Sequence, residues 1–161
     1  MKLNEVAKKL EQLGTYNEEQ IMVICNGLSK GLAVEIYAKP EFDAEQMRAL
    51  LVGLEQKLDV AVYADPKFKW IQMAAIKIGL EKGLDVSVYA DTRFNHKQMH
   101  ELRIGLEHEL DVNAYANPEF NFDQMCEIRL GLEQGLDVSV YANTQFNDNQ
   151  MACIRRGLAN K

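Results

Sequence analysis

Apolar and polar positions along this chain recur together every 26 residues, with no insertion. Gln stands at Gln20, Gln46, Gln72, Gln98, Gln124 and Gln150. Met follows it at Met47, Met73, Met99, Met125 and Met151, with Ile21 in the first copy. Gly-Leu begins at Gly27, Gly53, Gly79, Gly105, Gly131 and Gly157. Val-x-x-Tyr-Ala begins at Val34, Val60, Val86, Val112 and Val138. Phe recurs at Phe42, Phe68, Phe94, Phe120 and Phe146, with Tyr16 heading the series. A fixed period of this size is the mark of stacked supersecondary units. The units run about 16–41, 42–67, 68–93, 94–119 and 120–145, with a C-terminal half-unit at 146–161.

One unit explains the rest. In "FDAEQMRALLVGLEQK", Phe42 to Lys57, Asp43 is placed to cap a helix and Gln46 lies three residues on, the spacing of a capping box. Phe42 and Met47 then flank the cap as a hydrophobic staple. The same frame recurs as Asn17/Gln20, Asn95/Gln98, Asn121/Gln124 and Asn147/Gln150, and Lys69 breaks it once. Met47, Leu50, Leu51 and Leu54 follow helical spacing, which predicts a helix of about three turns. Gly31, Gly83 and Gly135 suit a left-handed helix end, with Lys57 and Glu109 at the equivalent places. Gly in mid-helix costs about 1 kcal/mol against Ala. Its recurrence predicts close approach of a neighbouring helix or an aromatic ring.

The second segment, "LDVAVYADP" from Leu58, is ambiguous. Val-x-Val-Tyr alternates like a strand. Asp59, Asp85, Asp111 and Asp137 stand where caps of a short helix would be, although Ala33 does not, and Leu58 and Tyr63 are spaced as a staple. The expected fold is therefore all-α: a right-handed α-solenoid of 26-residue helix-turn-helix repeats, long helix A followed by short helix B. The alternative is an α/β solenoid with short strands at the Val-x-Val-Tyr-Ala segments. "LNEVAKKLEQLG" fits no repeat register. With Asn4 as cap and Val6, Leu10 and Leu13 at helical spacing, it reads as an N-terminal capping helix over 1–14 of a single repeat domain.

Composition narrows the class. The chain has 161 residues, 47% hydrophobic and 26% charged, as folded domains do. A net charge of -6 with no Lys/Arg cluster argues against nucleic acid or an anionic membrane as partner. No apolar run approaches a membrane span, and the first residues lack the apolar core of a signal peptide. Three cysteines without framework spacing point to the cytoplasm.

The phrase "QMCEIRLGLEQGLDVSVYANTQF", Gln124 to Phe146, resembles a tandem repeat of bacterial proteins, many from mobile elements and largely uncharacterised. The resemblance spans about residues 16–158. It implies helical repeats and bacterial origin, and it carries no catalytic or ligand residues.

Candidate chemistry is sparse. No phosphate loop, dinucleotide fingerprint or nucleophile elbow is present, so no enzyme activity and no cofactor are expected. His96 and His100 lie four apart, and Cys126 takes the place of His100 one repeat later. Imidazole and thiolate suit zinc, but a fourth ligand is missing and the bland reading is two solvated histidines and a half-buried thiol. The Met row reads as core through its staple position, the Tyr row as core with its hydroxyl at the edge, and Glu55, Glu81, Glu107 and Glu133 as solvated surface.

Variation is the better lead. The place after the helix A cap reads Ala44, Trp70, His96, Phe122, Asp148, with Ile71 beside the only Trp. Another row reads Arg48, Ala74, His100, Cys126, Ala152. Large aromatics there are not needed to build a helix and are enriched in interface centres. The expected function is a non-catalytic scaffold that binds a protein partner through Trp70, Ile71, His96, Phe122, Arg48 and His100. The alternatives are a mobile-element inhibitor or decoy of a host defence enzyme, and a metal-binding protein using His96, His100 and Cys126.

Overall fold

The computed structural model describes residues 6–8, 10, 12 and 15–160, and no strand occurs among the described residues. Six α-helices of identical length follow the 26-residue period: α1 Glu18–Ser29, α2 Ala44–Glu55, α3 Trp70–Glu81, α4 His96–Glu107, α5 Phe122–Glu133 and α6 Asp148–Ala159. At the N-terminus residues 6–8, 10 and 12 are helical, while the expected cap Asn4 and Leu13 lie outside the described residues. The chain divides into two compact units, residues 1–81 and 82–161. In the first, α1 packs on α2 and α2 on α3. In the second, α4 packs on α5 and α5 on α6.

Local chemistry accounts for each helix boundary. Asn17, Asp43, Asn95, Asn121 and Asn147 each accept the backbone N–H of the Gln three residues on, and that Gln accepts the cap's own N–H. These are complete capping boxes. In α3, Lys69 offers no side-chain acceptor, a loss of about 1 kcal/mol. Gln72 Oε1 still accepts the Lys69 N–H at 2.8 Å, and the Gln72 N–H donates to the Lys69 carbonyl at 2.9 Å. At the other end the chain turns left-handed at Gly31, Lys57, Gly83, Glu109 and Gly135. The Leu after each turn residue in the first, second, fourth and fifth helices (Leu32, Leu58, Leu110, Leu136) donates back to the carbonyl of the mid-helix Gly at 2.9–3.0 Å. That bond is the longer one of a Schellman motif.

The second segment is shorter than the helix B expected. It is one turn of 3-10 helix, at Val34–Ile36, Val60–Val62, Val86–Val88, Val112–Ala114 and Val138–Val140. The Asp residues do cap it: Asp59, Asp85, Asp111 and Asp137 each accept the N–H two residues on, and Ala33 does not. It ends at Tyr, whose φ lies between -120° and -140°. The three-residue spacing of Val60 and Tyr63 puts both inside, as 3-10 geometry requires and strand alternation forbids.

The early exit of Tyr brings its ring under the preceding helix. Tyr37, Tyr63, Tyr89, Tyr115 and Tyr141 are fully buried. Tyr115 Oη donates to the Glu101 carbonyl at 3.1 Å and Tyr141 Oη to the Glu127 carbonyl at 3.2 Å. Each hydroxyl thus lies inside, not at the edge as the sequence suggested. Burial, with the nearby Glu55 carboxylate adding to it, pushes the Tyr37 phenol up to about 12, so it stays protonated. The ring passes where a side chain on the mid-helix Gly would be. A Cβ on Gly105 would stand 2.0 Å from Tyr115 Oη and 2.7 Å from Val112 Cγ1, and Gly27, Gly53 and Gly131 are equally crowded. Burying a large apolar side chain is worth about 3 kcal/mol, which outweighs the roughly 1 kcal/mol that Gly costs a helix.

A second bond joins neighbouring helices. Gln20 Nε2 donates to the Phe42 carbonyl, Gln46 to Phe68, Gln98 to Phe120 and Gln124 to Phe146, at 2.6–2.7 Å and always 22 residues away. The staple Met residues, Met47 through Met151, are fully buried, so the Met row is core.

Two paired substitutions test these contacts by chemical denaturation. Gly105→Ala is expected to cost about 2 kcal/mol through overpacking. Gly157→Ala, where nothing lies within 4 Å, is expected to stabilise by up to about 1 kcal/mol. Gln98→Glu keeps the capping box but loses a buried donor and turns a carboxylate toward the Phe120 carbonyl. The expected loss is about 2 kcal/mol or more, shrinking in acid as the carboxyl protonates. Gln150→Glu, at an exposed box, is expected to stay within about 0.5 kcal/mol of the parent.

Candidate interaction surface

The variable positions lie on the repeated helices, and the two units dress them differently. Among the described residues of 1–81 the exposed large apolar side chains are Met22 (65% exposed), Val52, Trp70 (47%) and Ile78 (37%). Trp70 opens α3 and Ile71 beside it is half-buried. Arg48 is half-buried on α2, paired with Glu45 on its own helix and with Glu19 of α1 at 3.8 Å. An open groove of about 530 Å³ runs between α1 and α2, with Met22, Val23, Asn26, Arg48, Leu51 and Val52 among its walls.

In residues 82–161 the same rows hold His96, His100, Phe122 and Cys126, and the rows beside them carry charge. Glu101 is 3% exposed and its Oε2 accepts from Arg129 Nε at 2.7 Å. The same guanidinium reaches Glu133 at 2.6 Å and Cys126 Sγ at 3.7 Å. Glu127 pairs with Arg155 at 2.8 Å in the same way one repeat later. His96 is exposed. His100 is exposed too and its Nδ1 lies 2.8 Å from Arg103 Nη2. Phe122 is half-buried, with Lys97 Nζ 5.8 Å from its ring centroid. That distance is within cation–π range.

This environment bears on the chemistry. Among the described residues no group of three or more His, Cys, Asp or Glu side chains converges as a cation would need. His100 and Cys126 each face a guanidinium, which repels a metal ion. Burial, reinforced by the Glu101 charge, pushes the Cys126 thiol up, away from the thiolate that zinc or a nucleophile requires. The recurring Glu row is less free than solvated surface implies. Glu55 pairs with Lys30, Glu107 with Lys82 at 2.7 Å and Glu133 with His108 at 2.8 Å, each partner lying 25 residues earlier. Such exposed bridges are worth well under 1 kcal/mol each.

Sequence reasoning missed Met22, Val52 and Ile78, because apolar residues at helical spacing read as core. It also missed Glu101 with Arg129, because residues 28 apart signal nothing until α4 and α5 are side by side. No helix of the described residues is long and apolar enough to cross a membrane. No protein-family model, curated protein or solved structure matches the chain.

The buried ion pair has an internal control. Val23 and Leu51, both buried, stand at the places of Glu101 and Arg129 three repeats earlier. Arg129→Met leaves Glu101 without its partner and is expected to cost about 3 kcal/mol in urea unfolding. The double change Glu101→Val with Arg129→Leu is expected to recover to within about 1 kcal/mol of the parent, since a well-packed apolar pair replaces a buried ion pair at little net cost.

Proposed function

We propose that this chain is a non-catalytic scaffold, a right-handed α-solenoid of 26-residue repeats, that binds a protein partner in the bacterial cytoplasm through its variable exposed positions. One observation carries this reading. The residues that repeat (Gln, Met, the mid-helix Gly, Tyr and Phe) are consumed in packing, and the large apolar side chains exposed in residues 1–81 occupy places the packing leaves free. Met22, Arg48 and Trp70 belong to the rows that vary from repeat to repeat. An apolar side chain half in water is a small cost that a partner surface recovers, and a Trp is the side chain most enriched at the centre of such contacts. The cytoplasm agrees with Cys126 and Cys153 being free thiols.

Site-dependent photocrosslinking in the source cell tests the reading. Crosslinking residues substituted at Met22, Arg48 or Trp70 are expected to trap the same foreign polypeptide. The same residues at Ser87 or Ser139, exposed on the 3-10 turns, are expected to trap none. Trp70→Ala should lower the yield severalfold. Equal trapping at all five places, or a yield indifferent to Trp70, overturns it.

A further inference from the structure

Helix α3 presents a face unlike that of the other described helices. Trp70, Ala74 and Ile78 follow one another four residues apart, so they line one stripe about 12 Å long. Trp70 and Ile78 are exposed and Ala74 is half-buried. The matching stripe carries Glu18 and Asn26 in α1, Arg48 in α2, His96 and His100 in α4, and Asp148 and Arg156 in α6. In α5 it is Phe122, Cys126 and Leu130, all half-buried, with Lys97 near the first and Arg129 against the second. Only α3 is wholly apolar there and also open to water at both ends of the stripe.

A second departure sits at the same helix. Lys69 replaces the Asn or Asp that caps the other five. It puts a cation at the positive end of the helix dipole, where an anion is favoured. Both departures are relieved by one arrangement. The stripe is large, small, large, and nearly symmetric about Ala74. A second α3 laid antiparallel across it, with a twofold axis at Ala74, sets each Trp70 on the other copy's Ile78. Alanine at the crossing lets the helices approach to the 8–10 Å of ordinary packing. Each Lys69 then lies beside the C-terminal carbonyls and Glu81 of the other α3, the end where a cation belongs. Such a contact uses one patch twice, as an isologous dimer does.

We propose that the Trp70–Ala74–Ile78 face docks a second copy of this chain, α3 against α3. The proposal rests on the reading of exposed variable positions as a binding surface, and it names the occupant of this one. A face of one twelve-residue helix falls at the small end of specific interfaces, so the dimer is a weak and reversible one that a foreign partner displaces.

Sedimentation of the purified chain from micromolar to millimolar concentration is the direct measurement. The mass is expected to rise toward twice the monomer. Trp70 is the only Trp, so its emission should move to the blue over the same range as water leaves the ring. Ala74→Arg is expected to weaken association about tenfold or more with helical content unchanged. Should that variant fold poorly, Lys69→Glu weakens association, and adding Glu81→Lys restores it. A monomer with constant emission at every concentration overturns the proposal. So does a dimer indifferent to both Ala74→Arg and Lys69→Glu. A monomer that still traps a foreign polypeptide at Trp70 in the cell sinks the dimer alone and leaves the scaffold reading standing.

Discussion

The contact between a mid-helix glycine and the tyrosine ten residues later sets the form of each repeat. With no Cβ on Gly105, the Tyr115 ring reaches the helix backbone and its hydroxyl meets the Glu101 carbonyl. For that to happen the chain must leave the left-handed turn, make one tight turn and stop. The 3-10 segment is therefore three residues long because the ring has to be delivered at that distance. A true α-helix there would carry the tyrosine past its slot. The same constraint explains why the loop lengths never change. An inserted residue would rotate the ring away from the glycine and leave a cavity in a fully buried place, which costs several kcal/mol.

Glutamine carries the second constraint, and its chemistry explains why the box residue is never Glu in this chain. A capping box accepts either. Only the amide has a carbonyl for the cap and an NH₂ for the next phenylalanine carbonyl at the same time. Gln46 shows both ends in use: Oε1 accepts from Asp43, and Nε2 donates to Phe68 and Pro66. One side chain thus ends its own helix and holds the following one. Gln150 has the box but is exposed, which makes it the natural contrast within the molecule.

Periodicity made the helices, their caps, their left-handed ends and the Met core legible, because each depends on residues within one turn of each other. The length of the second segment was not legible. An Asp cap and a three-residue apolar step begin a 3-10 turn and an α-helix alike, and what ends the turn is a contact with a helix ten residues back. Burial of the outer rows was illegible for a related reason. Leu51 is buried and Val52 is exposed, yet both are aliphatic and adjacent. Their fates differ by which side of α2 meets a neighbour. Trp70 could be weighed because it stood out as a large aromatic beside a failed cap. Ile78 could not, since it continues an apolar column through Val52, Ile104 and Leu130.

The two units also show how such a fold is free to vary. At one place the first unit holds Val23 and Leu51, and the second holds Glu101 and Arg129. The desolvation of two charges is large, of the order of several kcal/mol each, and their mutual attraction returns about the same amount. Exchanging one pair for the other therefore alters stability little, while the surface beside it changes from an apolar groove to an ionic net. The glycine–tyrosine and glutamine–phenylalanine contacts do not tolerate exchange, because each fits one shape and one donor pattern. Stability is thereby lodged in the residues that repeat, and the residues that differ are left to decide what the surface meets.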